Sequence, residues 1–291
     1  MVLHPAALAG VFTLADALRL VVRRGALMQA QPGGAMLSVR IALDALQARL
    51  PDALSLAAEN APGACVVAGP HEDIAAFQAS LEADGIACRA LCTSHAFHSS
   101  MMDPVVAPFR AEVEAMVRTA PVLPVVSTAT GQWLDAETAC SPEYWAGHLR
   151  QPVRFARALE CLVVDTPRVL LEVGPRTTLG TLARQHPAIK AQPGTTVLSS
   201  LSDHPDAESG SVRQALGQAW CRGVPVDPAC FDRRARRCRV RLPTYPFDRQ
   251  RYWVEAPSTT ARVVLHPAIA AAATATATPE PQMPHLVPSP A

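Results

Sequence analysis

Two histidines separated by two residues lie in the most polar short segment of the sequence, residues 93–100. Besides His95 and His98, the segment carries four hydroxyl side chains, those of Thr93, Ser94, Ser99 and Ser100. Imidazole titrates near neutral pH, so this composition suits general acid–base chemistry. A metal site is a weaker interpretation, because a His-x-x-His pair needs further ligands and the local sequence offers none. The residues alone also leave a purely structural or surface role open.

The elements before this segment predict the frame that positions it. In order they are a strand, a helix, two strands, a helix and a strand, at residues 35–40, 41–50, 54–59, 65–68, 71–84 and 86–92. The two central strands are joined by a turn that contains Pro62 and Gly63, and Gly85 ends the second helix. The order β-α-β-β-α-β is that of a ferredoxin-like unit.

The N-terminal residues predict another helix, before the elements just described. Thr13 and Asp16 form a capping box at its start. Its apolar side is expected to consist of Leu14, Ala17, Leu18, Val21, Val22 and Leu27. Gly10 is typical of the residue that follows a helix, yet only nine residues precede it. We therefore expect the chain to begin inside an element.

After the histidine segment, strands alternate with helices, which favours a mostly parallel sheet. Strands are predicted at 122–127, 169–173 and 196–201, and helices at 104–118, 144–149, 153–164, 178–185 and 212–222. Residues 256–291 are rich in Ala, Thr and Pro and predict a flexible, disordered linker.

Composition excludes several classes of function. The formal net charge of +1 argues against a nucleic-acid or membrane-surface partner held by bulk charge. The basic run 233–237 is either a solvated loop or a docking patch. No apolar run reaches membrane-spanning length, and no signal peptide is recognisable. Eight cysteines without a CxxC pair indicate a reducing, cytoplasmic compartment and no metal site.

Several segments, in order along residues 6–255, resemble those of malonyl-selective acyltransferase domains of modular type I polyketide synthases. The histidine segment reads His-Ala-Phe-His, where relatives selective for methylmalonyl usually carry Tyr-Ala-Ser-His. The other segments begin at Ala9 (AGVF), Arg24 (RGALM), Asn60 (NAP), Gln151 (QPVRF), Leu171 (LEVGP), Leu242 (LPTYPF) and Arg251 (RYW).

The resemblance implies a partial α/β-hydrolase-like core of parallel strands with an inserted ferredoxin-like subdomain. Residues 1–34 and 94–201 would belong to the core, and 35–93 would be the subdomain. Residues 202–255 would form a C-terminal helix and the linker that follows the acyltransferase domain. The partners implied are an acyl carrier protein and the neighbouring synthase domains.

The resemblance also implies a chemistry. A serine takes malonyl from malonyl-CoA and passes it to the phosphopantetheine thiol of the carrier protein, and no bound cofactor takes part. His98 matches the base of a Ser–His dyad, oriented by backbone carbonyls, for which the loop at Gln151 and Pro152 is the candidate. Arg24 matches the residue that binds the free carboxylate of malonyl. His95 and Phe97 are expected to shape the pocket and disfavour methylmalonyl.

The expected nucleophile motif, Gly-x-Ser-x-Gly, is missing from the sequence. We expect that it falls upstream of Met1, that the oxyanion hole is incomplete and that this truncated chain is inactive and poorly stable alone. A mis-called start or a split gene would produce such a chain. The alternatives are a non-catalytic docking fragment of a synthase and an unrelated α/β hydrolase.

Overall fold

The computed structural model describes residues 3–202, 204–227 and 240–254. Residues 3–227 belong to one compact unit and residues 240–254 to a second. Within the second unit, the described residues form neither helix nor strand. The basic run 233–237 and the predicted linker 256–291 lie outside the described residues.

Two helices begin the first unit. Helix α1 (Leu3–Leu8) is followed by a turn at Gly10, whose φ of 81° is a left-handed conformation that glycine adopts without strain. Helix α2 (Leu14–Gln29) begins at Thr13, whose hydroxyl accepts from the backbone N–H of Asp16 at 3.1 Å and donates to the Asp16 carboxylate at 2.7 Å. The predicted capping box is confirmed.

The predicted apolar side of α2 is only partly correct. Ala17 and Leu20 are the buried residues of this helix, whereas Leu14, Leu18 and Val22 are all at least half exposed. Leu20 lies one helical turn and Ala17 two turns before Arg24, so the side that faces the core is the one that carries this arginine. The three exposed residues are four positions apart in the sequence, so they form a line along the helix beside its buried side.

The next six elements form a four-stranded antiparallel sheet with two helices. The strands are β1 (Ala35–Val39), β2 (Ser55–Ala61), β3 (Ala64–Gly69) and β4 (Cys88–Ala90), and the helices are α3 (Leu43–Gln47) and α4 (His71–Ala83). The spatial order is β2-β3-β1-β4, with β1 between β3 and β4. The predicted order of elements, β-α-β-β-α-β, is confirmed.

The two faces of this sheet have different neighbours, because side chains alternate along a strand. Leu37 on β1 packs with Leu46 of α3 and Phe77 of α4. Met36, its neighbour, packs on the opposite face with buried Ala96 and partly buried Phe97. The second face therefore supports the histidine segment.

The rest of the first unit is mainly helical. Its helices are α5 (Asp103–Glu114), α6 (Ala136–Cys140), α7 (Pro142–Gly147), α8 (Phe155–Val163), α9 (Thr178–Gln185), α10 (Pro187–Lys190) and α11 (Glu208–Cys221). Strands β5 (Val169–Glu172) and β6 (Thr196–Ser199) pair in parallel. None of the helices in the described ranges is long and apolar enough to cross a membrane.

The strand predicted at 122–127 is wrong. Its only β pairing among the described residues is an isolated antiparallel bridge between Val126 and Trp133. Pro124 lies inside the predicted strand, and proline has no backbone N–H to donate to a neighbouring strand.

Candidate active site

His98 occupies the loop between β4 and α5 in an unusual backbone conformation. Its φ is 61°, in the left-handed region that residues with a side chain seldom adopt. The loop is held by Ser99, which is fully buried; its hydroxyl donates to the Ala96 carbonyl at 2.7 Å and accepts from the Met101 N–H at 3.2 Å. Such strain persists only where the surroundings determine the conformation, and it is frequent at functional sites.

The ring of His98 is oriented by a backbone carbonyl. Its Nδ1 atom lies 2.8 Å from the carbonyl oxygen of Gln151. Because a carbonyl can only accept, Nδ1 is assigned the ring proton, which leaves a lone pair on Nε2. The ring is therefore in the tautomer that a general base requires.

Several influences act on the pKa of His98, and three of them are the largest. Burial is the largest and lowers the pKa, the hydrogen bond to the Gln151 carbonyl opposes it, and the positive charge of Arg24 lowers the pKa further. The net effect is a pKa below the ordinary value of 6.5. The imidazole is consequently neutral, and able to accept a proton, at neutral pH.

The segment that presents the Gln151 carbonyl is anchored to the sheet. Pro152 restricts Gln151 to extended conformations. The next residue, Val153, donates its N–H to Ala57 at 2.9 Å, and its carbonyl accepts from the Glu59 N–H at 2.8 Å. The edge of β2 thereby fixes the carbonyl that orients His98.

Arg24 on α2 is partly buried, and its positive charge reaches the histidine site. It lowers the pKa of both His98 and His148. Its Nε atom is buried and has no hydrogen-bond partner among the described residues. The adjacent Arg23 instead forms an exposed ion pair with Glu112 at 2.6 Å. Of the two neighbouring arginines, Arg24 is thus the one available to an anion at the site.

His95 and Phe97 have different surroundings. His95 is 5% exposed; its Nδ1 lies 2.8 Å from the Ser94 hydroxyl and its Nε2 lies 3.1 Å from the Gln31 carbonyl. Both ring nitrogens are thus engaged, and His95 ties the loop to the end of α2. Phe97 is partly buried between two apolar clusters, with its ring centroid 6.0 Å from that of His95. The pocket role of both residues stays a prediction.

His148 belongs to the same site, although nothing in the sequence points to it. It follows α7, is 6% exposed and contacts the rings of Tyr144 and Trp145, with centroids at 4.7 and 6.0 Å. Burial, followed by the charges of Arg24 and His98, lowers its pKa to about 3. The spacing from Tyr144 is visible in the sequence, but the proximity to Arg24 is a property of the fold.

The site is built from two imidazoles, one guanidinium and backbone carbonyls. In the part of the chain that the structure describes, no three His, Cys, Asp or Glu side chains form a group that could hold a metal ion. What the site offers is a neutral base beside a fixed positive charge. That combination suits a reaction in which a hydroxyl or thiol is deprotonated next to an anionic substrate group.

Comparison with known proteins gives a consistent result. A family model described as acyl transferase domain matches residues 4–219. The chain is 38% identical over 256 residues to a phenolphthiocerol/phthiocerol polyketide synthase of Mycobacterium tuberculosis, and 40% identical over 248 residues to polyketide synthase GfsB of Streptomyces halstedii. These matches cover 87% and 84% of this chain but only 17% and 4% of the two synthases.

Solved structures agree with the sequence matches. The acyltransferase domain from the second module of the salinomycin polyketide synthase superimposes with a TM-score of 0.71 at 38% identity, covering 78% of this chain. The acyl transferase domain of SpnD, in complex with 2-(pent-4-yn-1-yl)malonyl, gives a TM-score of 0.70 at 32% identity, covering 75% of this chain. In both comparisons this chain spans 53% of the solved domain.

Proposed function

Since the chain belongs to the acyl transferase domain family of polyketide synthases, we propose that it supplies the general base and the carboxylate-binding arginine for malonyl transfer. The observation that carries the proposal is the pairing of a neutral His98, oriented by the Gln151 carbonyl, with the nearby charge of Arg24. The preference for malonyl over methylmalonyl rests on the His-Ala-Phe-His segment.

The proposed reaction has two steps. A serine hydroxyl attacks the thioester carbonyl of malonyl-CoA while Nε2 of His98 takes the hydroxyl proton, and the proton then passes to the departing thiolate of coenzyme A. In the second step the phosphopantetheine thiol of an acyl carrier protein attacks the malonyl-serine ester and regenerates the hydroxyl. No Gly-x-Ser-x-Gly motif occurs in the sequence, so the nucleophile is assigned to residues outside this chain.

Arg24 holds the free carboxylate of malonyl in this scheme. A guanidinium offers two parallel hydrogen bonds to a carboxylate and keeps its charge when it is desolvated. Burial does lower the pKa of Arg24, and its buried Nε lacks a partner among the described residues. An anionic ligand would stabilise the charged form of the buried guanidinium and accept a hydrogen bond from its Nε atom, which supports this role.

The finer domain assignment is part of the same proposal. We assign residues 35–93 to a ferredoxin-like subdomain inserted into an α/β-hydrolase-like core of residues 1–34 and 94–201. The sheet order β2-β3-β1-β4 supports the subdomain, and the parallel pair β5–β6 supports the core. Residues 202–255 would be the C-terminal helix and the following linker. The described cysteines are all free thiols, which supports a reducing cytoplasm.

Radiolabelled malonyl-CoA tests the proposal. The chain 1–291 alone is expected to acquire no covalent label. A complete domain, made by joining the chain to a serine-bearing upstream segment of a related synthase, is expected to become labelled. Covalent labelling of the isolated chain would contradict the assignment of the nucleophile to another segment.

Two variants of the complete domain test the roles of individual residues. His98→Ala is expected to slow labelling by about 10²–10⁴-fold, the usual contribution of a general base. Arg24→Gln is expected to abolish the preference for malonyl-CoA over acetyl-CoA, whereas Arg23→Gln, the matched control, leaves it unchanged. Retention of that preference in Arg24→Gln would remove the role given to Arg24.

A non-catalytic docking role has one observation in its favour. The described residues of the second unit carry large side chains that are each more than 70% exposed, namely Val240, Leu242, Tyr245, Phe247, Tyr252, Trp253 and Val254. Exposed apolar groups in such density mark contact surfaces. If docking were the sole function, a complete domain would bind a carrier protein yet remain unlabelled by malonyl-CoA.

A further inference from the structure

We infer that His148 is a second carboxylate-binding residue, whose neutral imidazole donates an N–H to the malonyl carboxylate beside the Arg24 guanidinium. The inference rests on the proposed malonyl transfer and names a specificity-determining residue within it. His148 is at the end of α7, outside the His-Ala-Phe-His segment.

The His148 side chain has a buried ring nitrogen that lacks a partner among the described residues. The residue is only 6% exposed, and its Nε2 atom is buried with no hydrogen-bond partner in the described part of the chain. Nearly all buried polar atoms in proteins have a partner, so an unpartnered buried ring nitrogen is expected to have one in the functional state. The rings of Tyr144 and Trp145 fix the orientation of the imidazole but engage it only through edge and stacking contacts.

A second buried nitrogen that lacks a partner among the described residues belongs to the same site. The Nε atom of Arg24 is also buried without a partner among the described residues. Leu20, one turn before Arg24, and Trp145, which contacts the His148 ring, belong to one apolar cluster, and α2 and α7 both pack against α5. The charge of Arg24 acts on both His98 and His148. A carboxylate has about four lone-pair sites and can therefore accept from the guanidinium and the imidazole together.

The charge state of His148 also suits this role. With a pKa lowered to about 3 by burial and by the charges of Arg24 and His98, His148 is neutral at pH 7. It adds a hydrogen bond without adding a second positive charge, so one guanidinium charge faces one carboxylate charge. Binding selects the tautomer with the proton on Nε2. Because this donor is left unpaired with an uncharged acyl group, its loss affects malonyl more than acetyl.

The test compares malonyl-CoA and acetyl-CoA binding to the full chain by calorimetry. His148→Phe keeps an aromatic ring against Tyr144 and Trp145 but removes the N–H. It is expected to weaken malonyl-CoA binding by about 10- to 100-fold, which is the range for losing a hydrogen bond to a charged group. Acetyl-CoA binding is expected to stay unchanged, because acetyl has no carboxylate. His148→Gln restores an N–H donor and is expected to recover most of the preference.

The outcomes separate this inference from the function on which it rests. If the wild-type chain shows no preference for malonyl-CoA, or if Arg24→Gln leaves the preference intact, the proposed function itself fails. If Arg24→Gln removes the preference while His148→Phe retains it, only the role of His148 is overturned and its ring serves packing alone. Should His148→Phe fail to fold, ¹⁵N-histidine spectra of the wild-type chain decide. Added malonyl-CoA must then shift the Nε2 resonance of His148, and an unmoved resonance overturns the inference.

Discussion

The Nδ1 atom of His98 lies 2.8 Å from the carbonyl oxygen of Gln151. A neutral carbonyl here occupies the place that an aspartate takes in a Ser-His-Asp triad. It fixes the tautomer, yet it stabilises the protonated ring less than a carboxylate would. With burial and Arg24 also acting on the ring, the pKa of His98 remains below its ordinary value.

This relationship predicts how malonyl loading depends on pH. A lowered pKa means that His98 releases its proton at a lower pH than free histidine, so the base form already predominates at pH 6.5. In a complete domain, the loading rate is expected to reach half its maximum below pH 6.5 and to rise less than about twofold between pH 6.5 and 8. Rapid-quench measurement of malonyl-serine formation checks this. A rate that is half-maximal above pH 6.5 would contradict the prediction.

His148 predicts a loss of stability in mild acid. Its pKa is about 3 in the folded chain, against an ordinary value of 6.5, so below pH 6.5 only the unfolded chain takes up this proton. Stability from this group is therefore complete above pH 6.5 and declines as the pH falls towards 3. One such proton lowers the free energy of unfolding by about 2 kcal/mol between pH 7 and pH 5.

Urea denaturation at several pH values measures this loss. Phenylalanine at this position cannot take up a proton in the folded or the unfolded state. Between pH 7 and pH 5, the free energy of unfolding of His148→Phe is therefore expected to decline by about 2 kcal/mol less than that of the wild-type chain. Parallel pH profiles for the wild-type chain and the variant would show that His148 is protonated in the folded chain as well.

The elements that the sequence predicts correctly depend on local patterns. The β-α-β-β-α-β order follows from short periodic runs separated by turn residues such as Gly63 and Gly85, and the capping box needs only Thr13 and Asp16. His98 and Arg24 are identified through a family resemblance. The structure adds that the Gln151 carbonyl lies against the ring of His98 and that the charge of Arg24 reaches it.

The errors arise where tertiary contacts decide. The apolar residues Leu14 and Leu18 of α2 are exposed because the helix turns the side that carries Arg24 towards the core. The run at 122–127 has strand-like composition, but Pro124 interrupts its hydrogen bonding. His148 escapes sequence analysis because its neighbour Arg24 is distant in sequence and close only after folding.

The chain at Gly34, just before β1, lies so close to Ala96 of the histidine segment that a larger residue is expected to disturb both. A Cβ atom at this position would lie 2.7 Å from the Ala96 Cβ and 3.0 Å from the Gly69 carbonyl oxygen, so the backbone must shift. Gly34→Ala is expected to destabilise the chain by about 1–3 kcal/mol, as overpacking does, and to disturb the loop that carries His98. Thermal or urea denaturation measures the first effect, and the histidine ring resonances report the second.

Gly25 provides the matched control. It lies within α2, and a Cβ atom there meets nothing within 4 Å. Gly25→Ala is therefore expected to stabilise the chain by about 0.5–1 kcal/mol through helix propensity and to leave the resonance of His98 unchanged. Equal stability of the two alanine variants would show that Gly34 is not held in close contact with Ala96.

The left-handed conformation of His98 predicts that stability and activity are opposed at this residue. At a φ of 61°, a residue with a Cβ atom is strained by about 1–2 kcal/mol, a cost that glycine avoids. His98→Gly is therefore expected to be more stable than His98→Ala by about 1 kcal/mol in urea denaturation, although both variants lack the base and load malonyl far more slowly in a complete domain. The comparison with alanine removes the effect of losing the imidazole, so the difference isolates the backbone. If the alanine variant were as stable as the glycine variant, the loop would have relaxed, and the strain would depend on the contact of the imidazole with the Gln151 carbonyl rather than on Ser99 and its hydrogen bonds.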